Sequence, residues 1–400
     1  MRTPSLNRRS DRLHGRDGRR ARLAAAGAAA LLAVGTLLSG CSLFEDSKAA
    51  KPAPLETLSG AAPARVLWSS RIDDIKFPLS IAARGDQFVV AGDDGVVQGL
   101  RAADGQALWR VDVGSKLAAG VGSDGRFAAV VTRSNELTVI DGGKVSWRKP
   151  LPTPVITAPL VAGERVFVLT VDRQVLAFDA IDGAKLFELR RPGEPLTLSK
   201  AGVLGAYKDT LIVGQGPRMA GVDPLKGTVR WEASVANPRG TNEVERLADL
   251  VGPMQRIGEL ICARGFQSAV GCVNAERGST LWNRNVGGAN GIGGDSQYVY
   301  GADGSDRLSA WKLVNGDTAW TAEQFLNRKL GVPVSVGAHV MVGDFEGYLH
   351  FLSRETGKTV GRLPTDGTPI AVAPVALTTA GGPVVLVATR RGGLFAIKPE

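Results

Sequence analysis

Histidine is almost missing from this 400-residue sequence: three in all, with only His339 and His350 lying beyond the N-terminal 40 residues. Both sit in β-branched, strand-like runs, which leaves little material for a histidine-built metal centre or a nucleophile–histidine–acid triad. Cysteine is as scarce, at positions 41, 262 and 272, and no two are adjacent. No Gly-x-Ser-x-Gly elbow occurs. Beyond residue 40 no apolar run reaches eighteen residues, and no segment has helical periodicity. Gly120 to Gly125 satisfies G-x-G-x-x-G, but the RFAAVVTRSNELTVI that follows reads as a hairpin rather than the required helix. Gly357-Lys358-Thr359 lacks the upstream glycine of a phosphate loop, Leu352 standing in its place. Excess charge in the body is missing too. The formal charge is +9, yet eight arginines against two aspartates in residues 1–40 hold six of those charges. The other 360 residues are close to neutral, so the basicity does not describe a nucleic-acid partner.

What the N-terminus does have is an address. An arginine-rich head precedes an Ala/Leu-rich run over residues 23–38, too short to span a bilayer comfortably. Leu38-Ser39-Gly40-Cys41 resembles the lipobox of bacterial lipoproteins. That resemblance implies a signal peptide over 1–40, cleavage before Cys41 and acylation of its sulfur and new amino group. Ser42, where an inner-membrane retention signal has aspartate, implies the outer membrane. Arg8-Arg9 is followed by Ser10-Asp11 and fits twin-arginine export poorly. Residues 41–62, rich in Ala, Pro, Ser and charge, read as a lipidated flexible tether, and several acyl chains would anchor the protein without a transmembrane helix.

The remainder is one unit repeated: alternating apolar residues, a polar turn ending in Gly, then two to four residues and Trp. It appears as GLRAADGQALW (99–109), VIDGGKVSW (139–147), AFDAIDGAKLF (177–187), GVDPLKGTVRW (221–231), CVNAERGSTLW (272–282), AWKLVNGDTAW (310–320) and FLSRETGKTVG (351–361). ARVLW (64–68) and LFAIKPE (394–400) are the two halves of an eighth. The Trp positions are 41, 38, 40, 44, 51, 38 and 41 residues apart, the length of a four-stranded blade. We therefore expect an all-β, eight-bladed β-propeller of four-stranded antiparallel blades over 63–400, closed by N- and C-terminal strands in one shared blade. Turn glycines 105, 183, 227, 278, 316 and 357 should take positive φ. Six of the seven tryptophans, all but Trp311, occupy the repeat position and should fill the gap between blades. Cys262 and Cys272 flank a hairpin centred near Gln267, which places them opposite each other as either a disulfide or two buried thiols.

The A-x-D-x-x-x-G-x-x-x-W unit resembles the pyrroloquinoline-quinone-type propeller repeat. Quinoprotein dehydrogenases share it but carry an adjacent Cys-Cys pair beside the cofactor, which is absent here, so no cofactor is expected. The lipobox, the tether and eight such blades together resemble the BamB family, the lipoprotein subunit of the outer-membrane β-barrel assembly machinery. Three stretches carry the likeness: Pro195-Leu-Thr-Leu198 is similar to the family's L-x-L-R loop, Gly240 to Asp249 (GTNEVERLAD) to its G-[ST]-x-E-x-[DE]-R-L-x-D segment, and Gly343 to His350 (GDFEGYLH) to its late-blade strand pair. The second lies in the longest interval, 51 residues, where extra residues become a loop. The resemblance implies a non-enzymatic scaffold on the periplasmic face of the outer membrane. It would bind the POTRA region of the BamA-type barrel subunit and present blade edges to unfolded barrel proteins by strand addition. Leu196 and Leu198 would be apolar anchors, with Arg246 and Asp249 orienting the contact. Inter-blade packing is the other reading of the leucines, and an internal ion pair or turn cap that of the charged pair. Ser199 replaces the family's arginine, with Lys200 beside it, and Val251 replaces a frequent aspartate. Outside the family, a quinoprotein-like enzyme, a ligand-sensing propeller and a surface adhesin are the alternatives.

Overall fold

The computed structural model describes residues 50–60, 62–190, 198–238 and 247–400. Its regular elements there are all strands, arranged as eight four-stranded antiparallel sheets. Seven are consecutive: blades 1 (82–112), 2 (117–150), 3 (160–189), 4 (204–234), 5 (250–284), 6 (293–322) and 7 (334–364). The eighth joins Val375–Thr379, Gly382–Ala388 and Gly393–Pro399 to the N-terminal strand Ala64–Arg71, paired from Ala64 with Pro399 to Arg71 with Gly393. This is the eight-bladed propeller with the shared closing blade. The G-x-G-x-x-G stretch lies at the Leu117–Ser123 to Phe127–Thr132 hairpin, as the sequence following it requires.

Within each blade the strands a to d run outward from the central channel. The middle strands are covered on both faces, so FAAVVT (Phe127–Thr132) is buried throughout and apolar up to its last residue. An outer strand such as Lys144–Pro150 alternates exposed and half-buried residues, KVSWRKP.

The repeat's glycine and aromatic serve one joint. The ring of each blade lies on the c–d turn glycine of the next: Trp68 on Gly105, Trp109 on Gly143, Trp147 on Gly183, Phe187 on Gly227, Trp231 on Gly278, Trp282 on Gly316 and Trp320 on Gly357. A Cβ at Gly316 would meet the Trp282 ring at 2.6 Å, and the same glycine has φ of 72°, so both contact and conformation demand glycine. Four of the indoles also donate to the first carbonyl of that turn, Trp68 to Ala102, Trp147 to Ala180, Trp282 to Leu313 and Trp320 to Arg354, at 2.7 to 2.9 Å. Gly361 stands at the ring position of blade 7 because the next blade has no c–d turn to receive a ring: its c and d strands are the two chain ends.

Antiparallel order puts the d-to-a connections and b–c turns of all blades at one end of the ring, here the loop face, and the a–b and c–d turns at the other. Cys262 and Cys272 are directly opposed on strands b and c of blade 5 and joined as a disulfide. Part of the expected tether is not free of the ring. Residues from Pro52 onward belong to the compact propeller unit, because arginines of blade 7 and its preceding connection take the carbonyls of Ala53 and Glu56.

Candidate functional site

The loop face of blades 3 to 5 is stitched around one carboxylate. Asp249 precedes the inner strand of blade 5, Leu250–Ile257. Its Oδ1 accepts from Arg173 Nη2 at 2.7 Å and its Oδ2 from the backbone N–H of Leu198 at 3.1 Å. Arg173 occupies the b–c turn of blade 3 with φ of 63°, and both charged side chains are mostly buried, 17% and 15% exposed. The backbone around Asp249 is held as well: its carbonyl receives the N–H of Phe266, and the N–H of Leu250 goes to Gly216. One side chain thus fixes the 3-to-4 connection against blade 3, and blades 4 and 5 close around it.

Of the sequence-derived site residues, Leu198 and Asp249 are brought together, with Leu198 half-buried at the rim. Cys41, Leu196 and Arg246 lie outside the described residues. Among the described residues the cation that meets Asp249 is Arg173, which sequence reasoning missed: it is 76 positions away and in no recognisable motif. Lys200, beside Ser199, is exposed and donates to the Ala289 carbonyl at 3.0 Å. Val251 is buried in its strand opposite Arg264, a packing position rather than a contact. Arg264 is a second residue that sequence reasoning missed. Fully buried, it donates to the carbonyls of Val286, Gly287 and Ala302 at 3.0 to 3.1 Å and ties blade 5 to blade 6. Burial pushes its pKa down to about 10. The channel opens on this same face through a cavity of about 890 Å³, with Pro78, Pro253, Pro333 and Pro374 in its wall.

The third stretch, 343–350, builds a buried ionic cluster on blade 7. Asp344 Oδ2 accepts from Arg328 Nε and Nη2 at 2.8 and 2.7 Å and from His350 Nε2 at 2.9 Å. Arg362 Nε donates to His350 Nδ1 at 3.2 Å. An arginine can only donate, so the network assigns His350 as the neutral imidazole protonated at Nε2. Burial lowers the His350 pKa against the pull of Asp344, with Arg362 and Arg328 adding to the fall. Burial works to raise Asp344, but the hydrogen bonds from His350 and Arg328 outweigh it and hold the carboxyl below its usual range. Both shifts act in the same direction. As pH is lowered, the unfolded chain takes up a proton at His350 near pH ~6.5 and at Asp344 near ~3.9 before the folded chain does, so stability falls as the pH falls, first through the histidine. The urea midpoint should drop between about pH 7 and pH 5, and His350→Asn should flatten that drop; an unchanged slope in the variant would exclude the histidine as its source. Among the described residues no group of three or more His, Cys, Asp or Glu side chains could hold a metal ion.

The family profile described as outer membrane protein assembly factor BamB matches residues 93–322. The proteins of that name from Burkholderia pseudomallei and Bordetella pertussis are 33% and 34% identical over 368 residues, covering 91% and 90% of this chain and 95% and 94% of their own. The one from Escherichia coli is 27% identical over 359 residues, covering 85% of this chain and 92% of its own. Among solved structures, BamB from Moraxella catarrhalis superposes with a TM-score of 0.74 at 20% identity, over 84% of this chain and 99% of that one. A quinohemoprotein alcohol dehydrogenase from Pseudomonas putida superposes with 0.63 at 14% identity, over 84% and 76%, a likeness of fold alone.

Proposed function

Since the chain belongs to the BamB family of outer membrane protein assembly factors, we propose that it is a scaffold subunit of the β-barrel assembly machinery and performs no chemistry of its own. It associates with that machinery at the outer membrane and supports the folding and insertion of barrel proteins. The observation that carries this reading is identity of 33 to 34% to assembly factors over nine-tenths of the chain. In detail, the mature protein is held to the periplasmic face of the membrane by acylated Cys41. It grips the POTRA domains of the BamA-type barrel subunit with the loop face of blades 3 to 5. Leu196 and Leu198 supply apolar contact there, while Asp249, braced by Arg173, keeps the Leu198 backbone in place and with Arg246 orients the contact. The Arg173–Asp249 pair supports this reading because it spends a mostly buried ion pair on holding a surface loop.

In cells deprived of the chain, the folded barrel protein recovered from outer membranes should fall several-fold and return when the chain is resupplied. Unchanged levels of every barrel protein would contradict the function.

A further inference from the structure

The cluster on blade 7 has two guanidinium nitrogens that point out of it, and both end on the same short segment. Arg328 is 3% exposed. Its Nε and Nη2 serve Asp344, Nη2 also meets Glu346, and Nη1 donates to the carbonyl of Ala53 at 3.0 Å. Arg362, held through Nε by His350, donates from Nη1 to the carbonyl of Glu56 at 3.2 Å. The N–H of Ala53 is in turn bonded to the Leu326 carbonyl at 2.8 Å. A buried arginine needs partners for its donors, and the Ala53 carbonyl supplies one for the third guanidinium nitrogen of Arg328. Further along, Ala62 packs on the apolar seam between blades 7 and 8, and the Pro63 carbonyl receives the N–H of Glu400.

The path of this segment is fixed by the topology. Leu326 and Arg328 lie in the connection from blade 6 to blade 7, and Asp344 in the b–c turn of blade 7, all on the loop face. Ala64 pairs with Pro399 at the end of the c strand, so the chain enters the ring on the opposite face. The described residues between 52 and 63 therefore lie along the side of the propeller, from the loop face toward the other. We infer that residues 52–58 are a strap which the GDFEGYLH cluster is built to hold, and that holding it makes the anchored end of the chain leave from the loop face, turning that face toward the membrane.

Chain geometry gives the strap its leverage. A leash free from Cys41 to Ala64 reaches about 80 Å fully extended, more than the roughly 50 Å breadth of a domain this size, so either face could meet the lipid. Strapped, the leash runs only from Cys41 to Pro52, reaches about 40 Å, and starts on the loop face. The holding of the strap rests on the contacts alone. Its orienting effect rests on the proposed acylation of Cys41.

Two measurements on the full mature protein separate these. In detergent, nitroxides on Glu56→Cys and Ser134→Cys, both exposed positions, should give one narrow distance distribution that Arg362→Ala broadens. A distribution as broad as that of a free leash in the parent would overturn the strap. In vesicles of phosphatidylethanolamine and phosphatidylglycerol carrying a headgroup quencher, a fluorophore at Ser134 on the loop face should be quenched several-fold more than one at Val314 on the opposite face. Arg362→Ala, which removes the donor that holds the strap at Glu56, should shrink that difference. Equal quenching in the parent would overturn the orientation. A protein that fails to bind vesicles at all would refute the acylation on which the orientation rests, while the distance measurement still decides the strap.

Discussion

Glutamate at both positions 196 and 198 is expected to weaken binding to the soluble POTRA region of the BamA-type subunit by roughly a thousandfold, with the melting transition of the propeller nearly unchanged. Leu198 is half-buried at the rim of the loop face, so a carboxylate there reaches water in the free protein but must be stripped of it under a partner. A central apolar anchor lost in this way costs about 2 kcal/mol or more, and two such anchors together come to the stated factor. Asp249→Ala should act at the same surface by another route. It frees the Leu198 N–H and leaves the mostly buried Arg173 without the carboxylate it meets, loosening the loop, so a smaller, roughly tenfold loss is expected. Titration calorimetry on the three proteins distinguishes the readings. If the double variant binds like the parent, the leucines are inter-blade packing and the contact lies elsewhere.

The second large effect concerns the ring itself. Trp282→Ala should destabilise the protein by about 3–5 kcal/mol, the range for removing a large buried aromatic. Trp282 is 7% exposed, covers Gly316 of the next blade, and gives its indole N–H to Leu313 at 2.7 Å. Trp282→Phe keeps most of the ring and loses the hydrogen bond, for about 1 kcal/mol. The molecule already contains that arrangement, since Phe187 covers Gly227 with no N–H to donate. Urea unfolding followed by circular dichroism reads both; equal losses for the two variants would mean that the hydrogen bond, and not the ring, holds the joint.

The blades were legible because the joint recurs locally. Each repeat carries a c–d turn glycine and, a few residues on, the aromatic that covers the next blade's glycine, and the period of about 42 residues between repeats can be read off the chain. The split eighth copy gave the closure in the same way. The exception at Gly361 has a reason visible only in the ring, where no following turn exists to receive a side chain. The site was legible in part. Its loops showed as a long interval and as family-like stretches, but Arg173 meets Asp249 through a contact that no local pattern encodes. The strap was illegible for a similar reason. Its composition is that of a linker, and what holds it is backbone carbonyls taken by arginines 275 and 306 positions away. Ala53 and Glu56 contribute no side chain to those bonds, so any sequence of similar bulk would look equally free.

The account stands most directly on one purification. The full-length protein, tagged at its C-terminus and drawn from membranes in mild detergent, should bring the BamA-type barrel subunit with it, and the variant with glutamate at 196 and 198 should come alone. Recovery of the parent without that subunit, under conditions that keep the rest of the machinery together, would contradict the account.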